Sequence, residues 1–472
     1  MQQRAEQPVK RFARTFCRPC AVIIGCAALL IPPYQAAIAT PETPNLETMQ
    51  GYLDPAPGGM DVRYAWTLEG GRGENVRIID IEVDWNLNHA ELRAVGANLI
   101  VYERGTDPQP DDNINHGTAV LGELVAADDA AGVTGIANRA RLGLLNPIRA
   151  GGVTDVAAAV NRAAEVLSPG DVILIEQQMI GPRFDISTGR GTIPTEFDPA
   201  VFNAISAATI KGIVVVEAAA NGFDNLDHSG YNGAFDRRIR DSGAIIVGAG
   251  MPPAGQYGPG PDRERWPDSN WGSRVDVQGW ARSVATCGYG NLQREQGEDN
   301  WYTDRFGGTS GAAAMVAGAA AVIEGIVKAR SLPPLKPEQL RELLVSTGTP
   351  QTGNLGENIG PRPDLRAAIA ALDTAQTGLP PRITSVGFNA NKGKLVVDGE
   401  RFIPADSVIE INTARIPKVK YPSEFWLPNG TTTRLVSKGD LSLILPRGVT
   451  VSITVFTPST GKRSDPVSFR WE

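Results

Sequence analysis

Four polar residues, far apart along a chain of 472 residues, could together do chemistry: Asp80, His116, Asn221 and Ser310. Acyl transfer from a serine needs a hydroxyl, a base to take its proton, a group that orients the base, and donors for the oxyanion. The residue types fit those roles, and so do their settings. Asp80 ends the apolar run VRIID, His116 opens HGTAVLGELVA, Asn221 follows VVVEAAA, and Ser310 lies in RFGGTSGAAAMVAGAAA. Small residues around Ser310 let another backbone approach closely, and a hydroxyl at a helix N-terminus meets the positive end of the dipole. Each residue alone has a plainer reading. A strand-end Asp is often a turn or cap, Asn221-Gly222 a turn, Gly-Thr-Ser a loop, and a histidine structural. The combination is what points to a nucleophilic serine.

In open parallel sheets such groups gather at the carboxyl ends of strands. The chain supplies the elements for one. Strands are expected at Val76–Ile81, Val172–Ile175, Ile213–Val216 and Ala244–Val247, alternating with helix patterns. Thr154 to Leu167 has Val156, Val160, Ala163 and Leu167 on one face, and Ser168-Pro169-Gly170 ends it. Asp198 is placed to cap a helix that has Pro199 at its first position and Gly212 just past its end. Composition changes at Thr377-Gly378-Leu379-Pro380-Pro381. Beyond it, short alternating runs predict strands at Ile383–Phe388, Lys394–Val397, Ser407–Ile411, Thr432–Val436, Ser442–Leu445, Thr450–Phe456 and Val467–Trp471. The expected fold class is α/β, a parallel sheet flanked by helices, followed by a smaller all-β sandwich of immunoglobulin type.

Residues from about Gly51 to Asp373 resemble the subtilisin-like (subtilase, S8-type) serine endopeptidases. IIDIEVDWNLNHAEL resembles the family's aspartate motif, HGTAVLGELVA its histidine motif and GGTSGAAAMVAGAAA its serine motif. The resemblance implies that Ser310 attacks the scissile carbonyl of a polypeptide substrate. It makes His116 the base and acid, Asp80 its orienting group, and Asn221 with the Ser310 N–H the oxyanion donors. No cofactor is required for that chemistry. The tail more weakly resembles IPT/TIG immunoglobulin-like modules, through Pro381-Arg382-Ile383-Thr384-Ser385-Val386 and the strand pattern.

The chain also departs from the family. Ile81-Glu82 stand where a small residue and Gly usually follow the aspartate, Ala220 replaces the Gly before the Asn, and Ala314 replaces a Pro. DVILIEQQMIGP aligns with the substrate-binding strand and loop, where Glu176, Gln177 and Gln178 replace Ser-Leu-Gly. Those three, with Ala218 and Ala219, are the candidate substrate-binding residues. Glu82, Glu176 and Glu217 all fall at ends of neighbouring strands. They are either solvated acids, or one of them, Glu176 first, lines the first specificity pocket and favours Lys or Arg. Clustered acids would alternatively raise a carboxyl pKa. Glu91 and Asp129, in the loop Ala127-Asp128-Asp129-Ala130-Ala131, match family calcium ligands in position and offer the hard oxygens Ca²⁺ takes; an ordinary polar turn explains them equally.

Charge and cysteines bound the rest. The chain has 45 Lys/Arg against 52 Asp/Glu, which disfavours a nucleic-acid partner for the main domain. The stretch from Pro380 onward is modestly basic, with 13 Lys/Arg and 8 Asp/Glu, more in keeping with a solvated face than an anionic-surface site. Lys10, Arg11, Arg14 and Arg18 precede the apolar run Ala21–Ile31 and the A-x-A site Ala37-Ile38-Ala39, the pattern of an export signal peptide. The organisation expected is residues 1–39 as signal peptide, 40–50 as linker, 51–376 as peptidase domain and 380–472 as β-sandwich. Export places the protein outside the cytoplasm, secreted or periplasmic, with no later membrane span. Three of the four cysteines fall in the leader, so Cys287 is left alone and no internal disulfide forms. The space between Thr40 and Gly51 is too short for a folding-assistant propeptide, and folding without one is expected. The competing reading is a catalytically silent binding protein on the same scaffold. A third is an adhesin acting through its tail.

Overall fold

The computed structural model describes residues 43–471 apart from 96–98, 104–109, 150–151, 331, 377–379, 417–418, 423–431, 439–440, 442–444 and 446. The leader, its three cysteines, Thr377–Leu379 of the domain junction and the strand expected at Ser442–Leu445 therefore lie wholly or largely outside the described residues.

Runs of Val and Ile bounded by turn residues become strands buried on both faces. In chain order, α1 (Val62–Ala65) precedes β1 (Arg77–Ile81), α2 (Ala90–Val95), β2 (Leu99–Glu103), α3 (Pro110–Val125) and β3 (Arg141–Leu145). Then come α4 (Val156–Val166), β4 (Val172–Ile175), the hairpin β5 (Gln178–Asp185) and β6 (Arg190–Pro194), α5 (Pro199–Ile210), β7 (Val214–Ala218), β8 (Ile245–Gly250) and β9 (Val277–Trp280). A second hairpin, β10 (Val284–Cys287) and β11 (Tyr302–Phe306), leads into α6 (Gly308–Ala329), α7 (Pro337–Thr347) and α8 (Leu365–Gln376). Seven strands form one parallel sheet in the order β2-β3-β1-β4-β7-β8-β9.

Strand alternation divides the sheet into two cores. Ile78, Leu174, Val216 and Ala218 pack with α3 and α6 on one face. Ile79, Ile81, Ile173, Ile175 and Val215 pack with α4 and α5 on the other. The cap expected at Asp198 is present, its side chain accepting from Ala200 N and Val201 N with Pro199 at the first turn, and Asp155 in the same way accepts from Ala158 N at the start of α4.

The Gly/Ala run of α6 answers to close packing. A Cβ at Gly279 of β9 would lie 2.6 Å from Ala312 Cα, and one on Gly318 would lie 2.8 Å from Ile136. The helix is buried from Thr309 to Val327. By length and composition α6 is apolar enough to cross a membrane, which the sequence reading denied to any segment past the leader. Its apolarity serves the core instead, since the apolar window is entirely enclosed by protein.

Past α8, β12 (Arg382–Asn389), β13 (Lys394–Phe402), β14 (Val408–Ile411), β15 (Ala414–Arg415), β16 (Val419–Lys420), β17 (Thr432–Ser437), β18 (Val451–Thr457), β19 (Lys462–Arg463) and β20 (Val467–Phe469) make two antiparallel sheets. Leu395, Val397, Phe402, Ile409, Leu435, Ile453 and Val455 form their common core. This part is a β domain.

Candidate active site

The register of the sheet brings the acids to one rim. Asp80 pairs with Leu174, which pairs with Val216, and Ile81 pairs with Ile175, which pairs with Glu217. One residue further on, Glu82 and Glu176 share a rank and a face. Glu217 points to the opposite face, where its Oε1 accepts from Thr195 Oγ1 at 2.6 Å and Glu196 N at 3.0 Å. Burial, with the negative charge of Glu196 nearby, pushes its carboxyl up to about 8. The three strand-end acids grouped by sequence thus separate into a pair and an outlier, because alternation turns an odd position away.

His116 lies inside α3, six residues past its first residue rather than at the helix start expected. Its Nδ1 donates to Glu82 Oε2 at 2.6 Å. The imidazole is thus hydrogen-bonded to Glu82 rather than to Asp80, where the expected contact would lie. The Asp80 carboxyl is fully buried and its Oδ2 accepts from Trp85 Nε1 at 2.8 Å, while Oδ1 has no partner. Burial by itself would lower the His116 pKa. The Glu82 carboxylate, adjacent and hydrogen-bonded, outweighs this with help from Asp80, so the pKa is raised. Burial and the neighbouring Glu82 charge raise Asp80 well above the carboxylate range.

Ser310 is the third residue of α6. Gly307 runs against Ala281, whose carbonyl oxygen would be 2.1 Å from any Cβ there, and Gly308 takes φ +70° beside Asn221. These two glycines are why the helix can begin so close to the strand ends. Thr309 N and Oγ1 each donate to Asn221 Oδ1 at 3.0 Å. Ala220, where the family has Gly, sits in the left-handed region at φ +71°.

His116, Asn221 and Ser310 line a single cavity of about 320 Å³. Its other walls are Tyr289, Asn291, Thr303, Arg305, Phe306 and Gly307. The Phe306 ring meets the imidazole edge-to-face, centroids 5.4 Å apart. Arg305, Phe306 and Gly307 belong to the serine stretch, whereas Tyr289, Asn291 and Thr303 come from the β10–β11 hairpin and escaped sequence reasoning, since nothing local marks a hairpin as a wall. Among the described residues no hydrogen bond joins Ser310 to His116.

None of the candidate pocket residues is among those that line this cavity. Glu176 is buried, both carboxyl oxygens lack hydrogen-bond partners, and the Ser310 hydroxyl favours its charged form. Burial, then Glu82 and Asp80, raise its pKa well above the usual range. A carboxyl so enclosed is not presented to a substrate side chain. Gln177 Nε2 reaches Glu82 Oε1 at 3.4 Å, and Gln178 Oε1 accepts from Asn221 N at 3.0 Å. Ala218 and Ala219 are buried at the end of β7.

Glu91 and Asp129 lie within electrostatic reach of each other, and Glu91 Oε2 is buried without a partner. Glu91 Oε1 already accepts from Tyr302 OH at 2.8 Å and Val133 N at 3.2 Å. A Cβ on Gly132 would stand 1.9 Å from that oxygen and 2.5 Å from the Tyr302 hydroxyl, so the space is filled. Asp129 is exposed and its Oδ1 accepts from Ala131 N within its own turn. Among the described residues no three His, Cys, Asp or Glu side chains gather for a metal. Burial pushes the Glu91 carboxyl up to about 8. Cys287 is buried with Leu46, Ala126, Val133 and Tyr302.

Residues 71–364 match the subtilase family. Subtilisin DY of Bacillus licheniformis is 28% identical over 292 residues, 61% of this chain and 88% of that one. A calcium-dependent protease of Trichormus variabilis is 28% identical over 288 residues, 56% of this chain and 40% of that one. An intracellular serine protease of Paenibacillus polymyxa is 26% identical over 283 residues, 58% and 74% of the two chains. A solved protease of Pseudoalteromonas arctica covers 70% of this chain and 99% of its own with a TM-score of 0.49 at 23% identity.

Proposed function

Because the chain belongs to the subtilase family of serine endopeptidases, we propose that it cleaves polypeptides through Ser310, with His116 as proton carrier and Asn221 as oxyanion donor. One observation carries this reading: the hydroxyl, the imidazole and the amide line the same cavity, although 105 and 89 positions of sequence separate His116, Asn221 and Ser310.

Ser310 Oγ attacks the scissile carbonyl while its proton passes to His116 Nε2. The imidazolium keeps its Nδ1 proton donated to a carboxylate and then delivers the Nε2 proton to the leaving amine. The carbonyl oxygen, now negative, is met by Asn221 Nδ2 and the Ser310 N–H. Asn221 Oδ1 is engaged by Thr309, which leaves Nδ2 as the donor for the cavity. Water completes the cycle by the same proton path in reverse. The leader pattern supports export before this work begins, and the strand pattern supports an immunoglobulin-like tail.

Titration with a serine-reactive fluorophosphonate tests the reading. Stoichiometric labelling of the wild type that disappears in Ser310→Ala is expected. Wild-type labelling no greater than that of Ser310→Ala sinks it in favour of a silent binding protein.

A further inference from the structure

We infer that Glu82, and not Asp80, is the carboxylate that positions the catalytic imidazole, Asp80 being held out of that role by Trp85. The inference deepens the proteolytic reading and rests on it.

Asp80 and Glu82 are two residues apart at a strand end, so both face the layer that holds α3. Only one carboxylate can take the Nδ1 proton, and reach decides which. Glu82 starts one step further out along the rim and carries an extra methylene. Its Oε2 accepts from His116 Nδ1 at 2.6 Å. Its Oε1 accepts from Val83 N at 2.7 Å and Gln177 Nε2 at 3.4 Å. Three donors surround a side chain that is 4% exposed, which is what a buried anion requires.

Asp80 has one donor, the Trp85 indole, and a buried oxygen with none. Two acids this close cannot both ionise cheaply, and the charge settles on the better solvated one. Room for the arrangement comes from Gly117. A Cβ there would lie 2.9 Å from Glu82 Cγ, 2.9 Å from Trp85 Cδ1 and 2.2 Å from Asp84 O. The Gly of the HGT run is thus the space into which the Glu82 stem and the Trp85 ring fit. The family's small-residue-then-Gly pattern after the aspartate leaves no acid at that position, so the Ile81-Glu82 departure and the geometry are one event.

The remaining groups that act on the ring are Asp80 at longer range and the Phe306 edge. In catalysis the ring gains the serine proton on Nε2, and the positive charge that results is balanced by Glu82 through the Nδ1 bond, which neither breaks nor transfers its proton.

The test uses the full chain with Glu82→Gln, Asp80→Asn and Glu82→Asp, read two ways. Peptide hydrolysis should fall about 10⁴-fold in Glu82→Gln, as for loss of an orienting acid, and less than about 10-fold in Asp80→Asn, the scale of a modest structural effect. Glu82→Asp, which keeps the charge and shortens the arm, should lie between. Independently, NMR titration of the His116 ring, assigned by its absence in His116→Gln, should show the pKa falling further in Glu82→Gln than in Asp80→Asn. A ring pKa that drops in Asp80→Asn and holds in Glu82→Gln overturns the inference, as does equal loss of hydrolysis in both. If the wild type fails to label with fluorophosphonate, the proteolytic reading falls while the ring titration still decides which acid holds His116. Should Glu82→Gln not fold, Glu82→Asp read by titration carries the test, an unchanged ring pKa counting against the inference.

Discussion

Thr309 donates twice to one atom of Asn221, through its backbone N–H and its hydroxyl, each at 3.0 Å from Oδ1. The residue next to the nucleophile therefore fixes the amide opposite it. Oxyanion donors act only when already aimed, because reorientation during reaction costs what they would contribute.

Asn221→Ala should lower kcat by about 10²–10³ with little change in KM, a magnitude known from this family rather than derived for this chain. Thr309→Val, which removes one of the two restraints on the amide, should give a smaller kcat loss in the same direction. Steady-state kinetics on one peptide checks both. A change confined to KM in Asn221→Ala would assign it to substrate binding.

Glu176→Leu should lower kcat without altering preference at the residue preceding the scissile bond. The carboxyl it removes is buried, feels the Ser310 hydroxyl and does not line the cavity. In a peptide library varied at that residue, the Lys/Arg to Leu/Phe ratio should move by less than the roughly 10-fold that one missing methylene in a pocket is worth. A selective loss of cleavage after Lys and Arg would restore Glu176 as the specificity acid.

Stability should fall as pH rises from about 5 to 8. Burial holds Glu324 up to about 7 and Asp364 up to about 6, with Glu91 and Glu217 up to about 8. Their unfolded values lie near 4, so between these limits the folded chain binds protons that the unfolded chain has lost. The stabilisation is complete below the unfolded values and disappears as pH passes the folded ones. The raised His116 pKa acts in the same direction, over a window that opens near 6.5. Urea midpoints measured across this range check the slope. Glu217→Gln should raise the midpoint at pH 8 relative to wild type, because the amide keeps an acceptor for Thr195 and Glu196 and cannot ionise.

Tyr302→Phe should destabilise the protein by about 1–3 kcal/mol, leaving Glu91 Oε1 with a single donor. Chelation by EDTA should leave the wild-type melting temperature unchanged, and added calcium should not restore the variant. A fall in melting temperature on chelation, reversed by calcium, would show that the loop after α3 binds the ion.

The kcat/KM profile should have its acid limb above 6.5, the ordinary imidazole value, because catalysis needs the neutral ring and Glu82 favours the charged one. A limb at or below that value would show the acid cluster to be decoupled from His116.

Local chemistry was written in the chain itself. The Val/Ile runs, the Asp198 cap and the paired glycines before Ser310 each depend on neighbours a few residues away, and each appears where the residues place it. The partner of His116 depends on something else. Asp80 and Glu82 share a face by alternation alone, and one-dimensional reading cannot rank two acids whose difference is a methylene and a step along a rim. Only the packed layer ranks them, by seating Trp85 on one and, through the vacancy of a side chain at Gly117, admitting the other to the ring. Glu217 shows the same division: its position at a strand end is a fact of sequence, and the face it points to is a fact of register. The cavity walls from the β10–β11 hairpin complete the division, since close approach across a fold costs or gains energy only once the sheet has brought distant segments within a few ångströms.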